Sequence, residues 1–273
     1  MQNLFTRTIT GIIFIACIIG SLLWHPLAFS VVIFILMIIG LKEFYHLSHL
    51  HNIQPDRYSG YAVASVIFII SVLNALEFVS PWSLAAFVPL VFVFFLAEMF
   101  RDRPNSIMNL AFSIFPVAYI SIPFSILIYL MSPVVTLQNP YWHLPLAYFI
   151  ILWSHDTFAY LTGIIVGKNK MFEKISPKKT WEGTAGGTLF GIGAAYLISL
   201  YMPELSTWQW LLSALIISVT GTLGDLSESL LKRSFHVKDS GTVFPGHGGV
   251  LDRFDAVMFS APSLFCYLLI LKI

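Results

Sequence analysis

Charge is scarce in this chain. Of its 273 residues only 11% are Asp, Glu, Lys or Arg, while 57% are hydrophobic. A soluble domain carries roughly 25% charged residues, so a water-exposed surface of this size would go uncovered, and the composition places the chain in a membrane. The mean hydropathy of +0.81 agrees. Cysteine is scarcer still. Cys17 and Cys266 both lie in apolar runs, which excludes a disulfide framework and a CxxC metal site. A basic excess is also missing, the formal net charge being +1, so nucleic acid is not an expected partner. Nor is the low hydrophobicity that marks a disordered chain present.

What the sequence does have is long apolar runs. A span takes about 20 mostly apolar residues, and such runs occur near 8–24, 26–42, 59–77, 84–100, 106–131, 144–166, 184–202, 208–226 and 255–271. They predict an all-α, polytopic membrane protein with about nine transmembrane helices. The run at 106–131 contains Pro116 and Pro123 and is read as one kinked span. Arg7 ahead of the first run imitates a secretory leader. No small-residue cleavage site precedes His25-Pro26, however, and another span follows at once, so the segment is read as a mature helix. With a cytoplasmic N-terminus, the cytoplasmic loops are 1–7, 43–58, 101–105, 167–183 and 227–254. These loops and their flanks gather every Lys and Arg except Lys272, which is the bias that sets topology. The expected location is a bacterial inner membrane.

The few charges are unevenly spread. Residues 156–255 hold nine of the fifteen basic residues and nine of the fourteen acids. The chain is therefore divided into an N-terminal region of about five spans, 1–143, and a region 144–273 that carries the polar motifs. Asp156 lies inside the sixth run, where an ionisable group costs about 2.5–3.5 kcal/mol on insertion scales and lines a cavity by default; the alternative is a snorkelling surface acid. His155 beside it reads as structural. Ser176-Pro177-Lys178-Lys179-Thr180-Trp181-Glu182-Gly183 reads as an interfacial loop. Its ammonium groups and hydroxyls suit a phosphomonoester, although the lysines alone would serve as a positive-inside anchor. Gly183, Gly187 and Gly191 recur at every fourth residue, a pattern of close helix packing.

If the eighth helix continues past its apolar part, Asp225, Glu228, Ser229 and Lys232 share one face at i, i+3, i+4 and i+7. Two carboxylates so placed can hold Mg²⁺, which is bound through one or two carboxylates plus substrate phosphates; they can equally form helix-end ion pairs. The last polar stretch, Lys238 to Asp255, has four glycines and a proline within one loop. That composition exposes backbone N–H groups to anions. It is neither a Walker A loop nor a Rossmann fingerprint. Asp252 and Asp255, three residues apart, can face the Asp225 helix or cap their own.

Together these residues resemble the phosphatidate cytidylyltransferase (CDP-diacylglycerol synthase) family. Its signature is a serine, Lys-Arg, four residues, Lys-Asp, then Pro-Gly-His-Gly-Gly and Asp-Arg-x-Asp. Here it reads Ser229, Lys232-Arg233, Lys238-Asp239, Pro245-Gly246-His247-Gly248-Gly249 and Asp252-Arg253-Phe254-Asp255, without departure. The motifs span roughly the C-terminal 120 residues. The resemblance implies an enzyme that joins CTP to phosphatidate, giving CDP-diacylglycerol and diphosphate, from a cytoplasm-facing polar cavity. Mg²⁺ is the implied cofactor, with a monovalent cation such as K⁺ open as a second ion. It makes 144–273 the catalytic region and Asp225 and Asp252 the metal-binding acids; Glu228 is added from helix spacing alone. Lys232, Arg233 and Lys238 are assigned to the CTP phosphates, with Asp239 beside them and Gly248 and Gly249 in a backbone cradle. His247 is expected to be a phosphate or loop contact. Ser176, Lys178, Lys179 and Thr180 are placed near the phosphatidate head group, and Asp156, Glu182, Ser229, Arg253 and Asp255 complete the substrate-binding set. A homodimer is left open.

Three other readings compete. A polytopic transporter of an anionic solute would use Asp156 and the basic loops as a pathway, but transporters often show internal repeats and none is seen. A CDP-alcohol phosphotransferase would need an Asp-Gly-x-x-Ala-Arg motif, which is missing. A metal site at Glu43, His46, His49 and His51 would need acids from several helices. Glu204, which the topology puts on the far face, is expected to tolerate charge reversal.

Overall fold

A computed structural model describes residues 2–50, 53–101, 103–135, 141–241, 243 and 248–271, with backbone only for 2–8 and 50. Helices dominate: α1 (Gln2–Trp24), α2 (Pro26–Leu50), α3 (Arg57–Ala75), α4 (Phe87–Met99), α5 (Ser106–Pro116), α6 (Ile122–Tyr129) and α7 (His143–Val166). After a hairpin of β1 (Lys170–Phe172) and β2 (Ser176–Thr180) come α8 (Trp181–Ser199), α9 (Thr207–Ser234), α10 (Leu251–Phe254) and α11 (Val257–Ile270). Among the described residues, seven helical stretches are long and apolar enough to cross a membrane. The chain is a multi-pass membrane protein. Helix also covers the two other expected runs, in α1, whose apolar part is Ile9–Trp24, and in the glycine-rich α8.

Local chemistry sets the breaks. Pro26 opens α2, where a missing N–H costs nothing. α9 begins with a capping box: Ser206 Oγ accepts the Gln209 N–H at 3.4 Å and Gln209 Oε1 accepts the Ser206 N–H at 2.8 Å, pairing donors that the first turn leaves over. Between α5 and α6 a π-helical turn, Val117–Ser121, follows Pro116. Such bulges and prolines are the usual causes of a kink, and Ser106–Tyr129 forms one interrupted column as the sequence predicts.

Two expectations are corrected. Residues 167–183 are not a plain loop, because Lys170 pairs with Thr180 and Phe172 with Ser176 in an antiparallel hairpin. Residues 227–254 are not wholly loop either. No Gly or Pro interrupts 225–234, so α9 runs on to Ser234 and ends where His236 turns to φ 51°, a left-handed stop of the kind that closes helices. Glu204 is expected from the sequence to tolerate charge reversal. It sits opposite the hairpin in chain order, but its side chain is only 4% exposed and ion-paired to His143 at the start of α7, so reversing its charge would break that contact.

The C-terminal half is held by small residues. Gly183, Gly187 and Gly191 of α8 are all buried. A Cβ on Gly187 would lie 2.5 Å from the His155 carbonyl and 2.7 Å from Ala159 Cβ of α7, and one on Gly191 would lie 3.2 Å from Ser218 Oγ of α9. The periodic glycines therefore do pack α8 against both neighbours. α11 in turn packs on α9 and α6, joining the two halves. Gly187→Val forces α7 and α8 apart, and such overpacking typically costs about 1–3 kcal/mol; a lowered thermal unfolding midpoint in detergent checks it, and an unchanged midpoint would refute the contact.

Candidate functional site

The site is built where α7, the β-hairpin, α9 and α10 meet. Thr180 ends β2 and caps α8, its Oγ1 accepting the Gly183 N–H at 3.2 Å, so the strand leaves the helix in a fixed direction. That direction carries Lys178 and Lys179 toward α9, and Lys179 Nζ reaches Asp225 Oδ2 at 2.7 Å. Asp225 can be met there because the α9 helix continues through it.

A second knot lies one turn and two turns further along α9. Lys232 Nζ stands 2.5 Å from Glu228 Oε2 and 2.6 Å from Asp252 Oδ1. Asp252 Oδ2 accepts three more hydrogen bonds, from the Gly249 N–H at 2.8 Å and from the Ser240 N–H and Oγ at 2.9 Å each. A carboxylate with this many donors is held as the anion in one orientation. Gly248 makes the fit: its φ of +83° is open to glycine, and a Cβ there would lie 2.6 Å from Asp252 Oδ2.

These elements enclose a cavity of about 810 Å³, within the usual 300–1,000 Å³ of ligand sites. Its wall carries the carboxylates Asp156, Asp225, Asp252 and Asp255 and the cations Lys170, Lys178, Lys179 and Arg253. Asp255 is within electrostatic reach of Asp225, Glu228 and Asp156. Thr180, Thr184 and Thr222 add hydroxyls, while Phe14 and Ile15 of α1 and Ile164 of α7 give an apolar side. Such a wall neutralises a polyanion with its cations and offers hard oxygen donors to a cation.

A family profile described as the cytidylyltransferase family matches residues 5–271. The chain belongs to the cytidylyltransferase family. A Staphylococcus haemolyticus protein named phosphatidate cytidylyltransferase is 34% identical over 260 residues, covering 94% of this chain and 96% of that protein. Relatives of the same name from Staphylococcus epidermidis and Staphylococcus aureus are 35% and 36% identical, with the same coverage.

Among the residues singled out in this family member, the structure brings Asp156, Lys178, Lys179, Thr180, Asp225, Asp252, Arg253 and Asp255 onto the one cavity wall. Others stand apart. Arg233 is exposed and directs Nε toward the Ile175 carbonyl and a terminal nitrogen toward the Val237 carbonyl, both at 3.4 Å. Lys238 and Asp239 are exposed, and Ser176 and Ser229 are half-buried. None of these five lines the cavity. Gly248 and Gly249 wrap Asp252, and His247 lies outside the described residues. The shared face expected for Asp225, Glu228 and Lys232 splits in two. Glu228 is 3% exposed and ion-paired to Lys232, and neither of the two lines the cavity. Among the described residues no three acidic, His or Cys side chains form a metal cage. The donor chemistry still fits a hard cation at Asp225 and Asp252, because a cation bound partly by substrate phosphates needs few protein ligands.

Sequence reasoning missed Lys170 and the α1 residues Thr10, Gly11, Phe14 and Ile15 on the cavity wall. Lys170 carried no signal beyond belonging to a basic loop, and α1 none at all. Glu182, expected at the substrate, clamps the hairpin and does not line the cavity. Its carboxylate accepts the backbone N–H groups of Lys168 and Asn169 at 3.1 Å and the Asn169 side-chain amide at 2.6 Å. Backbone N–H donors, its own first and then those of Asn169 and Lys168, hold this carboxyl below its ordinary value. A depressed carboxyl contributes stability that is complete above its unfolded pKa, about 4.3, and is lost as pH falls through the lower folded value. The protection of the Lys168 and Asn169 amides, relative to their intrinsic exchange rates, is therefore expected to persist down to that range in the native chain and to be lower in Glu182→Gln at neutral pH; equal protection in the two would remove the clamp.

Proposed function

We propose that the chain is a CTP:phosphatidate cytidylyltransferase of phospholipid biosynthesis, making CDP-diacylglycerol and diphosphate. The observation that carries this reading is one cavity with four carboxylates and four cations on its polar wall and an apolar side made by lipid-exposed helices. Ile15 and Ile164 on that side are 41% and 65% exposed, which suits acyl chains that stay in the bilayer while the head group meets the charged wall. The named relatives support the same substrates. In this reading the nine helical runs all span, 144–273 is the catalytic region, and the charged wall faces the cytoplasm of a bacterial inner membrane.

The reaction is a displacement at the α-phosphorus of CTP. A phosphate oxygen of phosphatidate bonds to that phosphorus, the bond to the bridging oxygen breaks, and the electron pair leaves with diphosphate. Phosphatidate is already an anionic nucleophile near neutral pH, since its second phosphate pKa is about 6, so no protein nucleophile is required. Two anions must nevertheless approach one another. Lys178, Lys179, Lys170 and Arg253 reduce that repulsion and orient the phosphates, the positioning and electrostatic work on which phosphoryl chemistry depends. Asp225 and Asp252 would hold Mg²⁺, which supplies charge neutralisation at the phosphates; K⁺ is the candidate for a second position. Lys232 keeps Asp252 aimed and anionic.

The test uses the full chain purified in detergent with labelled CTP, phosphatidate and Mg²⁺. Formation of CDP-diacylglycerol and diphosphate is expected, and none beside an active control enzyme would refute the activity. Asp225→Asn and Asp252→Asn are each expected to reduce turnover per folded molecule at least about 100-fold. Full activity in either takes that residue out of the site.

A further inference from the structure

Glu43 lies in α2, far in sequence from every motif of the site, and is 6% exposed. A carboxylate so buried is costly unless hydrogen-bonded, and its partners come from across the molecule. Oε1 accepts the Val250 N–H at 2.9 Å, Oε2 accepts the Leu251 N–H at 3.0 Å, and the Ser240 hydroxyl lies 3.3 Å from Oε2. Gly241 and Gly249 close over it: a Cβ on Gly241 would lie 2.5 Å from Oε1, and one on Gly249 would overlap both carboxylate oxygens. Both ends of the loop between α9 and α10 are thus fastened to one side chain of the N-terminal half.

What Glu43 fastens is the support of Asp252. Ser240 and Gly249, packed against Glu43, are the residues that donate to Asp252 Oδ2. The Ser240 hydroxyl lies between the two carboxylates and has one proton to give. Val250 and Leu251, held by their N–H groups, begin the turn that carries Asp252 and Arg253 to the cavity wall. Glu43 does not line the cavity, so any effect on chemistry passes through the loop. We infer that Glu43 is a positioning residue for cytidylyl transfer, fixing Asp252 through Ser240, Gly249 and the first turn of α10. This inference rests on Asp252 taking part in the reaction.

The experiment compares Glu43→Gln, Glu43→Asp, Ser240→Ala, Glu43→Gln/Ser240→Ala and Asp252→Asn in the purified full chain. Folded fraction and unfolding midpoint are measured beside kcat and the KM for each substrate. Removing a partner that orients a working group typically costs 10–100-fold, so kcat per folded Glu43→Gln molecule is expected to fall by about that factor with the KM for phosphatidate within about twofold. Glu43→Asp should recover part of the loss. The double variant should be no worse than the weaker single within about threefold, because both changes cut one connection. A kcat per folded molecule within about twofold of native in Glu43→Gln, or multiplying losses in the double variant, overturns the inference. Should Glu43→Gln not fold, Glu43→Asp decides: it keeps the charge but draws the carboxylate back by one methylene, so native kcat per folded molecule overturns the inference, while reduced kcat at an unchanged midpoint supports it. Active Asp252→Asn sinks the underlying reading as well; inactive Asp252→Asn beside fully active Glu43→Gln sinks this inference alone.

Discussion

The Lys232 ammonium, shared between Glu228 and Asp252, is the contact on which the rest of the site depends. Charges removed from water are tolerated when paired and costly when orphaned, at about 3–5 kcal/mol for breaking a buried pair. Here one cation serves two acids on different helices, so α9 and α10 cannot separate without exposing an unpaired charge to a low dielectric. Asp252 passes the constraint on through its backbone donors to Ser240 and Gly249, and these pack against Glu43. The sequence of contacts runs from α9 through α10 and the loop into α2.

A parallel line runs through the hairpin. Glu182 fixes residues 168 and 169, Thr180 fixes the start of α8, and Lys179 crosses to Asp225. The two lines meet at one cavity. Carboxylates and cations are therefore placed by separate supports, which lets the wall hold both signs at close range without all of them collapsing into pairs.

Much of this was legible in the sequence because membrane insertion demands long apolar runs, and the proline-interrupted column at 106–131 was readable for the same reason. The family signature and the spacing of Gly183, Gly187 and Gly191 were equally local patterns. What escaped was tertiary. Glu228 shares nominal helix spacing with Asp225, but three residues turn a side chain by about 60°, enough here to put one acid on the cavity and the other in an ion pair with Lys232. Glu43 beside His46 and His49 looked like a fragment of a metal site, whereas its partners sit some two hundred positions away. The Lys170–Thr180 hairpin gave no strand signal, since its residues are mostly polar and Glu182, which holds the residues just before it, lies outside the strands.

The unbroken course of α9 has one more consequence. Its 28 residues make a rod of about 42 Å at 1.5 Å per residue, against a hydrocarbon core of about 30 Å. Asp225 lies about 27 Å along that rod and Lys232 about 38 Å, so the helix is longer than the core by more than the stretch between them. A rod of this length can cross the core and still carry a charged turn among the head groups, the level at which the phosphate of a diacyl lipid rests. Lifting two acyl chains into water would cost about 0.8 kcal/mol for every methylene, a cost that a charged turn at head-group level avoids.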